Sequence, residues 1–245
     1  MTSRLPKQRA WRILIALVSL IVAASLTEPS GNAQELATHG PWQIGAFASG
    51  GFPPNYTIYL GTSPDSYSSM QLDLLNAGVQ IGRVLSTPRG RGFLCGQGEA
   101  VVEVMPLWLA HYPLQEISFH TVGFTGETGH ELYGPYNIPG ASITPLYRWN
   151  LTGRTSRRSV PWAQLGGGLL WTNHKFPAPE PIIVDSTSVI NFTPQGGIGE
   201  SIFIRKNRSL DFAFKAVHIS NAGLGVNNPG LNITLQFSAG YSWWR

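Results

Sequence analysis

The chain has 245 residues, with 17 Lys and Arg against 13 Asp and Glu, and only 12% of residues are charged. Four of the bases and one acid, Glu28, precede residue 34, so the rest of the chain is close to neutral and its composition gives no footing for nucleic-acid binding. A single cysteine, Cys95, excludes an internal disulfide framework and is expected as a small buried apolar residue.

The first segment reads as an export signal. Arg4, Lys7, Arg9 and Arg12 make a basic start, residues 13–26 are apolar, and Gly31, Asn32 and Ala33 are small residues at a cleavage site. Residues 1–33 are therefore expected to be a signal peptide and residues 34–245 one domain. The apolar run is short for a spanning helix, which needs about 20 residues; a retained single-pass anchor is the alternative. Beyond it no long apolar run occurs, and no segment keeps a convincing 3.6-residue period.

Period-2 patterns take its place. A weak strand is expected around 42–48. Over 74–83, Leu75, Ala77, Val79 and Ile81 alternate with Asn76, Gly78, Gln80 and Gly82. Weaker patterns follow at 93–109, 160–172 and 190–204. Over 142–151, Ile143, Pro145, Tyr147, Trp149 and Leu151 share a face. The segment 209–220 is the seventh strand. In the eighth, 231–243, Leu231, Ile233, Leu235, Phe237, Ala239, Tyr241 and Trp243 oppose Asn232, Thr234, Gln236, Ser238, Gly240 and Ser242. The longest loops are expected at 49–71, 110–139 and 173–189.

Eight amphipathic strands fit a soluble sandwich or lipocalin-like barrel, or a membrane barrel. The apolar faces end in aromatics at Trp149, Trp171, Tyr241 and Trp243, and the opposite faces are rich in Gly, Ser, Thr, Asn and Gln. The chain also ends on an aromatic strand. These features point to an all-β fold, an eight-stranded antiparallel transmembrane β-barrel with an interfacial girdle and a narrow polar lumen.

Within the seventh strand, Leu210, Phe212, Phe214, Ala216, His218 and Ser220 share one face. Asp211 and Lys215 mark the other as the lumen. The His-Ser pair thus continues the lipid-facing side. Residues i and i+2 of a strand lie about 7 Å apart on one face. A histidine there can act as general base for a serine hydroxyl, although His-x-Ser also arises by chance or caps a strand end.

The longer string narrows the reading. H-x-S-N-A-G from His218, followed by N-x-P-G about ten positions on, resembles the PagL-type lipid A 3-O-deacylase family. The resemblance implies an outer-membrane barrel that hydrolyses an ester-linked acyl chain of lipid A, with lipid A of lipopolysaccharide and membrane lipids as its partners. It implies His218 as base, Ser220 as nucleophile, and Asn221 with the backbone N–H of Gly223 as oxyanion donors. No metal and no cofactor are implied. That family places a Glu after the P-G turn to orient the histidine, where this chain has Asn232. An Asn carbonyl can hold the imidazole but supplies no charge. Simple alternation puts Asn232 on the lumen side, so a bulge would have to turn it. Glu200 is the alternative acid. A barrel that has lost its activity is a second reading, and a soluble binder of an apolar ligand a third. His111, His120 and His130, with Glu116, Glu127 and Glu131, lie in or near the 110–139 loop without metal-ligand spacing and read as polar loop residues.

Overall fold

The computed structural model describes residues 41–54, 57–59, 67–69, 71–120, 128–152, 158–176, 188–224 and 231–245. The expected signal segment and the N-x-P-G turn lie outside them.

The period-2 segments form strands, and no described segment is an α-helix. In chain order they are β1 (Trp42–Phe52), β2 (Thr57–Tyr59), β3 (Tyr67–Ser69), β4 (Asp73–Val84), β5 (Gln97–Tyr112), β6 (Gln115–His120) and β7 (Thr128–Tyr133). They continue as β8 (Tyr136–Asn150), β9 (Ser159–Gly166), β10 (Leu169–Phe176), β11 (Ser188–Phe192), β12 (Gln195–Arg205), β13 (Arg208–Ile219) and β14 (Leu231–Trp244). β9 and β10 are two halves of one stave, interrupted at Gly167 and Gly168. β11 and β12 are halves of the next, interrupted at Thr193 and Pro194. Pro194 has no N–H to give to a ladder, so a break falls there. Eight antiparallel staves result. β1 pairs with both β4 and β14, and β8 with both β9 and β10, so the sheet closes on itself.

Closure joins the two ends of the chain. β1 and β14 pair from Gln43 opposite Trp244 to Phe52 opposite Leu235. The Trp42 N–H donates to the Arg245 carbonyl at 2.7 Å, and the Arg245 N–H to the Trp42 carbonyl at 2.8 Å. The barrel therefore presents no unpaired edge to lipid.

Three sequence expectations shift here. The segment 110–139 is not an open loop: β5 runs on to Tyr112, β8 begins at Tyr136, and β6 and β7 form a hairpin between them. Gly134, Pro135, Pro139 and Gly140 punctuate this stretch and conceal its strands in the sequence. The strand expected from residue 93 starts at Gln97, because Gly92–Leu94 winds into a 3-10 turn. Cys95, beside that turn, is half-buried rather than buried.

The outer face of the barrel is apolar. Ile44, Leu75, Val79, Ile81, Ile143, Ile198 and Phe237 are all exposed on it, as lipid contact requires and a soluble barrel would not allow. Trp42, Tyr147, Trp149, Tyr241 and Trp243 gather towards the end that carries β1's start and β14's finish. Trp171 does not join them; it pairs with Ala141 and Ile190, nearer the other end.

The interior is filled in three layers. At mid-barrel the Arg148 guanidinium is buried. It donates to Gln43 Oε1 at 3.2 Å, Gln80 Oε1 at 3.4 Å and Gln164 Oε1 at 3.0 Å, lies 3.8 Å from Glu99 Oε2, and stacks 4.2 Å over the Trp162 ring. A Cβ at position 199 would collide with that indole, so Gly199 makes the room for it. Lys215 Nζ pairs with Glu103 Oε1 at 2.5 Å, and Asp211 accepts from Ser209 at 3.0 Å and from Ser242. The lumen is not polar throughout, as its composition suggested. Trp108, Tyr112, Ile138, Phe176, Ile219 and Leu231 form an apolar layer at one end, and Val84, Val160, Phe203 and Trp244 at the other. The void left among Phe47, Glu103, Arg148 and Trp162 is about 10 Å³, barely one water. An eight-stranded barrel is just wide enough for side chains to fill, and here they do.

Connections at one end run over residues 53–72, 113–135, 177–187 and 220–230. Those at the other run over 85–96, 151–158 and 206–207. Longer extracellular than periplasmic connections are the rule in such barrels, which puts the first end outside the cell.

This architecture sets two substitutions against each other. Phe212 faces outward near mid-barrel, so Phe212→Arg should cost about 2–4 kcal/mol of stability in the membrane. Lys215→Met leaves Glu103 buried without its ion pair and should cost about 3–5 kcal/mol from the inside. Urea unfolding from vesicles measures both, and the double substitution Lys215→Met with Glu103→Leu should recover most of the second loss.

Candidate active site on the barrel wall

The outward row of β13 ends at His218. Leu210, Phe212, Phe214 and Ala216 precede it, and the Phe214 ring packs 4.9 Å from that of Phe237 on β14. The His218 N–H donates to the Pro194 carbonyl at 2.9 Å, so the strand break at Pro194 still supplies an acceptor. Ser220 then bridges to Phe192: the Phe192 N–H donates to the Ser220 carbonyl at 2.6 Å and the Ser220 N–H to the Phe192 carbonyl at 3.0 Å. Phe192 and Pro194 thus frame the site, and strand patterning alone passed over them. The one signal was Pro194 inside an otherwise strand-like stretch.

Immediately after Ser220 the chain reverses. The Leu224 N–H donates to the Asn221 carbonyl at 3.0 Å, with φ of 50° at Ala222 and 79° at Gly223. Two successive left-handed residues are the pattern of a type I′ turn. Glycine takes that conformation freely; Ala222 adopts it at a cost. Within the turn, the Gly223 N–H donates to Asn221 Oδ1 at 3.0 Å and the Ala222 N–H to Ser220 Oγ at 3.4 Å. Ser220 and Asn221 are both buried, at 8% and 2% exposure. The two expected oxyanion donors are therefore engaged with each other at one point: the Gly223 N–H faces the carbonyl end of the Asn221 carboxamide.

The register between β13 and β14 slips beside His218. Val217 pairs with Thr234 and Ile219 with Leu231, so one residue, 218, stands opposite two, 232 and 233. This is a β-bulge, which turns the strand beyond it over. Leu231, expected on the lipid face, is buried in the lumen at 1% exposure, whereas Ile233 is exposed at 51%. The bulge sets the backbone of Asn232 across from His218.

Glu200 is elsewhere. Its backbone partners are Phe212 and Pro161, and its carboxylate accepts from the Ser159 hydroxyl. Gln195 pairs with Val217, which puts Glu200 several residues down the strand from His218, about 17–20 Å away at 3.3 Å per residue. Two histidines of the β6–β7 region have partners, while the side chain of His120 and the whole of Glu127 lie outside what the structure describes. His130 Nδ1 lies 3.1 Å from Glu116 Oε1 on the exposed hairpin, and His111 Nδ1 lies 2.8 Å from Asn137 Oδ1. Among the described residues no three potential metal ligands come together.

His218, Ser220 and the Asn221–Leu224 turn thus stand at the extracellular end of the wall, beside exposed Phe192, Leu224 and Ile233. A side-chain base, a hydroxyl and turn amides at the level of the outer leaflet can act on an ester carried by a membrane lipid.

The family model for lipid A 3-O-deacylase (PagL) matches residues 102–242, more than half of the chain and inclusive of every expected site residue. Among solved structures, the chain is similar to the outer membrane enzyme PagL, at 14% identity and a TM-score of 0.44, over 81% of this chain and 98% of that one. It is also similar to the outer membrane protein OprG from Pseudomonas aeruginosa, at 11% identity and a TM-score of 0.48, over 84% of this chain and 96% of that one. No curated protein matches it. The chain belongs to the lipid A 3-O-deacylase (PagL) family: it is a lipid A deacylase-type hydrolase in a β-barrel of the bacterial outer membrane.

Proposed function

We propose that the protein is a serine esterase that removes the 3-O-linked acyl chain of lipid A, with His218 as base and Ser220 as nucleophile. The observation that carries this reading is position. His218 ends the outward row of β13, Ser220 follows just past the strand at 8% exposure, and the turn that comes next brings the Ala222 N–H to the serine hydroxyl.

In this scheme Ser220 Oγ attacks the ester carbonyl while His218 takes its proton. The Gly223 N–H exchanges its bond to Asn221 Oδ1 for one to the oxyanion, and the Asn221 carboxamide turns its N–H₂ to the same oxygen. Collapse of the tetrahedral intermediate breaks the ester bond, and His218 returns the proton to the departing sugar oxygen. Water then attacks the acyl-serine with His218 again as base, which frees the fatty acid and restores the serine. Side chains and water suffice. The slip that sets residue 232 across from His218 supports Asn232 as the residue that orients the imidazole. It does so without charge, so turnover is slower than a carboxylate at that place would give.

The pair acts as a unit. Ser220→Ala and His218→Ala should each abolish deacylation of purified lipid A by the folded barrel, and the double substitution should be no worse than either alone. Turnover by Ser220→Ala at the wild-type rate sinks the serine mechanism.

Position 232 gives a separate prediction. Asn232→Glu should raise kcat with little change in KM, because a carboxylate stabilises the imidazolium only as it forms. Asn232→Ala should lower kcat by leaving the ring free to rotate. Steady-state kinetics of the three forms decide it; unchanged kcat in both variants removes Asn232 from the site.

A further inference from the structure

The charges outside the lumen are sorted by end. On the periplasmic side, the end of β4 and the β4–β5 connection bring Arg83, Arg89 and Arg91, and the β12–β13 hairpin brings Arg205, Lys206 and Arg208. Arg158 and Arg245 stand at the same end. Among the described residues, Lys175 is the only Lys or Arg outside the lumen that lies elsewhere, near the end of β10. Acids show the reverse distribution. Glu99, Glu103 and Asp211 are inside the barrel, Asp73, Glu116 and Glu131 belong to the extracellular end, and Glu200 sits on the wall with its carboxylate held by Ser159. The near-neutral composition conceals a basic ring at one end.

That ring is interleaved with apolar groups. Leu85, Phe93 and Leu94 are exposed on the same connection as Arg89 and Arg91, and the Leu94 carbonyl accepts the Trp149 indole N–H at 3.2 Å. Arg83 lies 5.3 Å over the Trp42 ring. The connection thus leans on the aromatic belt of the wall. At a membrane interface, exposed apolar side chains favour the acyl chains and guanidinium groups the headgroups. Guanidinium groups bind phosphate with paired, charge-assisted hydrogen bonds, and aromatic contact at this depth favours a partner that is anionic and amphipathic.

We propose that the periplasmic rim is a binding surface for anionic glycerophospholipid headgroups of the inner leaflet. The rim holds a shell of these lipids and fixes the depth and direction of the barrel, so that the far end of β13 meets the outer leaflet. Neither the deacylase reaction nor its residues take part.

The test is lipid selectivity of the folded full-length barrel in phosphatidylcholine vesicles, read by electron paramagnetic resonance as the fraction of spin-labelled lipid immobilised at the protein. Spin-labelled phosphatidylglycerol should be favoured over spin-labelled phosphatidylcholine by about twofold or more at low salt. The preference should vanish at about 1 M NaCl, where the Debye length is about 3 Å. The triple variant Arg83→Gln, Arg89→Gln, Arg91→Gln should lose much of it, whereas Lys175→Gln should keep it. If the triple variant does not fold, Arg89→Gln with Arg91→Gln, on the connection outside the strands, serves in its place. Equal immobilisation of the two lipids overturns the proposal and leaves the ring to an acidic protein surface. Selectivity that survives loss of the rim arginines, or falls with Lys175→Gln, overturns it as well. Lipid A turnover is not read, so this test stands or fails apart from the esterase scheme.

Discussion

Hydrocarbon offers no hydrogen bonds, so every backbone N–H and C=O that crosses the membrane has to be paired within the protein. The pairing of β1 with β14 meets that constraint and determines the rest of the structure. Once the sheet closes, each stave has a lipid side and a lumen side, and the alternation of side chains is fixed along all eight. The lipid side takes Ile44, Val79, Ile143 and Phe237. The lumen side takes Gln43, Gln80, Arg148 and Asp211, which satisfy one another because no water column is there to do so. Removal of the Arg148 guanidinium would leave three amide oxygens and a carboxylate short of a donor at once, which is why charge is tolerated at the centre of so narrow a barrel.

A filled interior leaves the wall and the rims for function. A lipid ester reaches this protein by diffusion in the plane of the outer leaflet, so the reactive groups have to face outward at the extracellular end, which is where the outward row of β13 finishes. The wall gives His218 a rigid seat through its bond to Pro194. The turn after Ser220 gives backbone and carboxamide donors within three residues of the hydroxyl. The bulge opposite position 218 sets the backbone of residues 232 and 233 across from the histidine.

The sequence made the staves legible because lipid on one side and a packed lumen on the other impose a clean period of 2. Asp211 and Lys215 identified the lumen face of β13 correctly, and with it the outward row to His218. Three things were hidden. The β6–β7 hairpin lies among glycines and prolines that imitate a loop. The apolar layers that cap the lumen lie on the inward face, where composition suggested polar residues throughout; Leu231 was assigned to lipid for the same reason. The bulge at 232 and 233 has no residue signature, because the slip is set by how β13 and β14 pair around the turn. The motif from His218 to Gly223 was visible as a string, but the partners Phe192 and Pro194 come from a stave earlier in the chain and became apparent only when the barrel closed.

Ester hydrolysis through Ser220 acts on a lipid of the outer leaflet, and the composition of that lipid tests the proposal most directly. Mass spectrometry of lipid A from bacteria that express the protein should show loss of one ester-linked hydroxyacyl chain, assigned to the 3-position by fragmentation. Lipid A from the same cells with an equally abundant, folded Ser220→Ala protein should keep the chain. Lipid A that is identical in both, whether intact or shortened, contradicts the claim that this wall, through Ser220, is the catalytic surface.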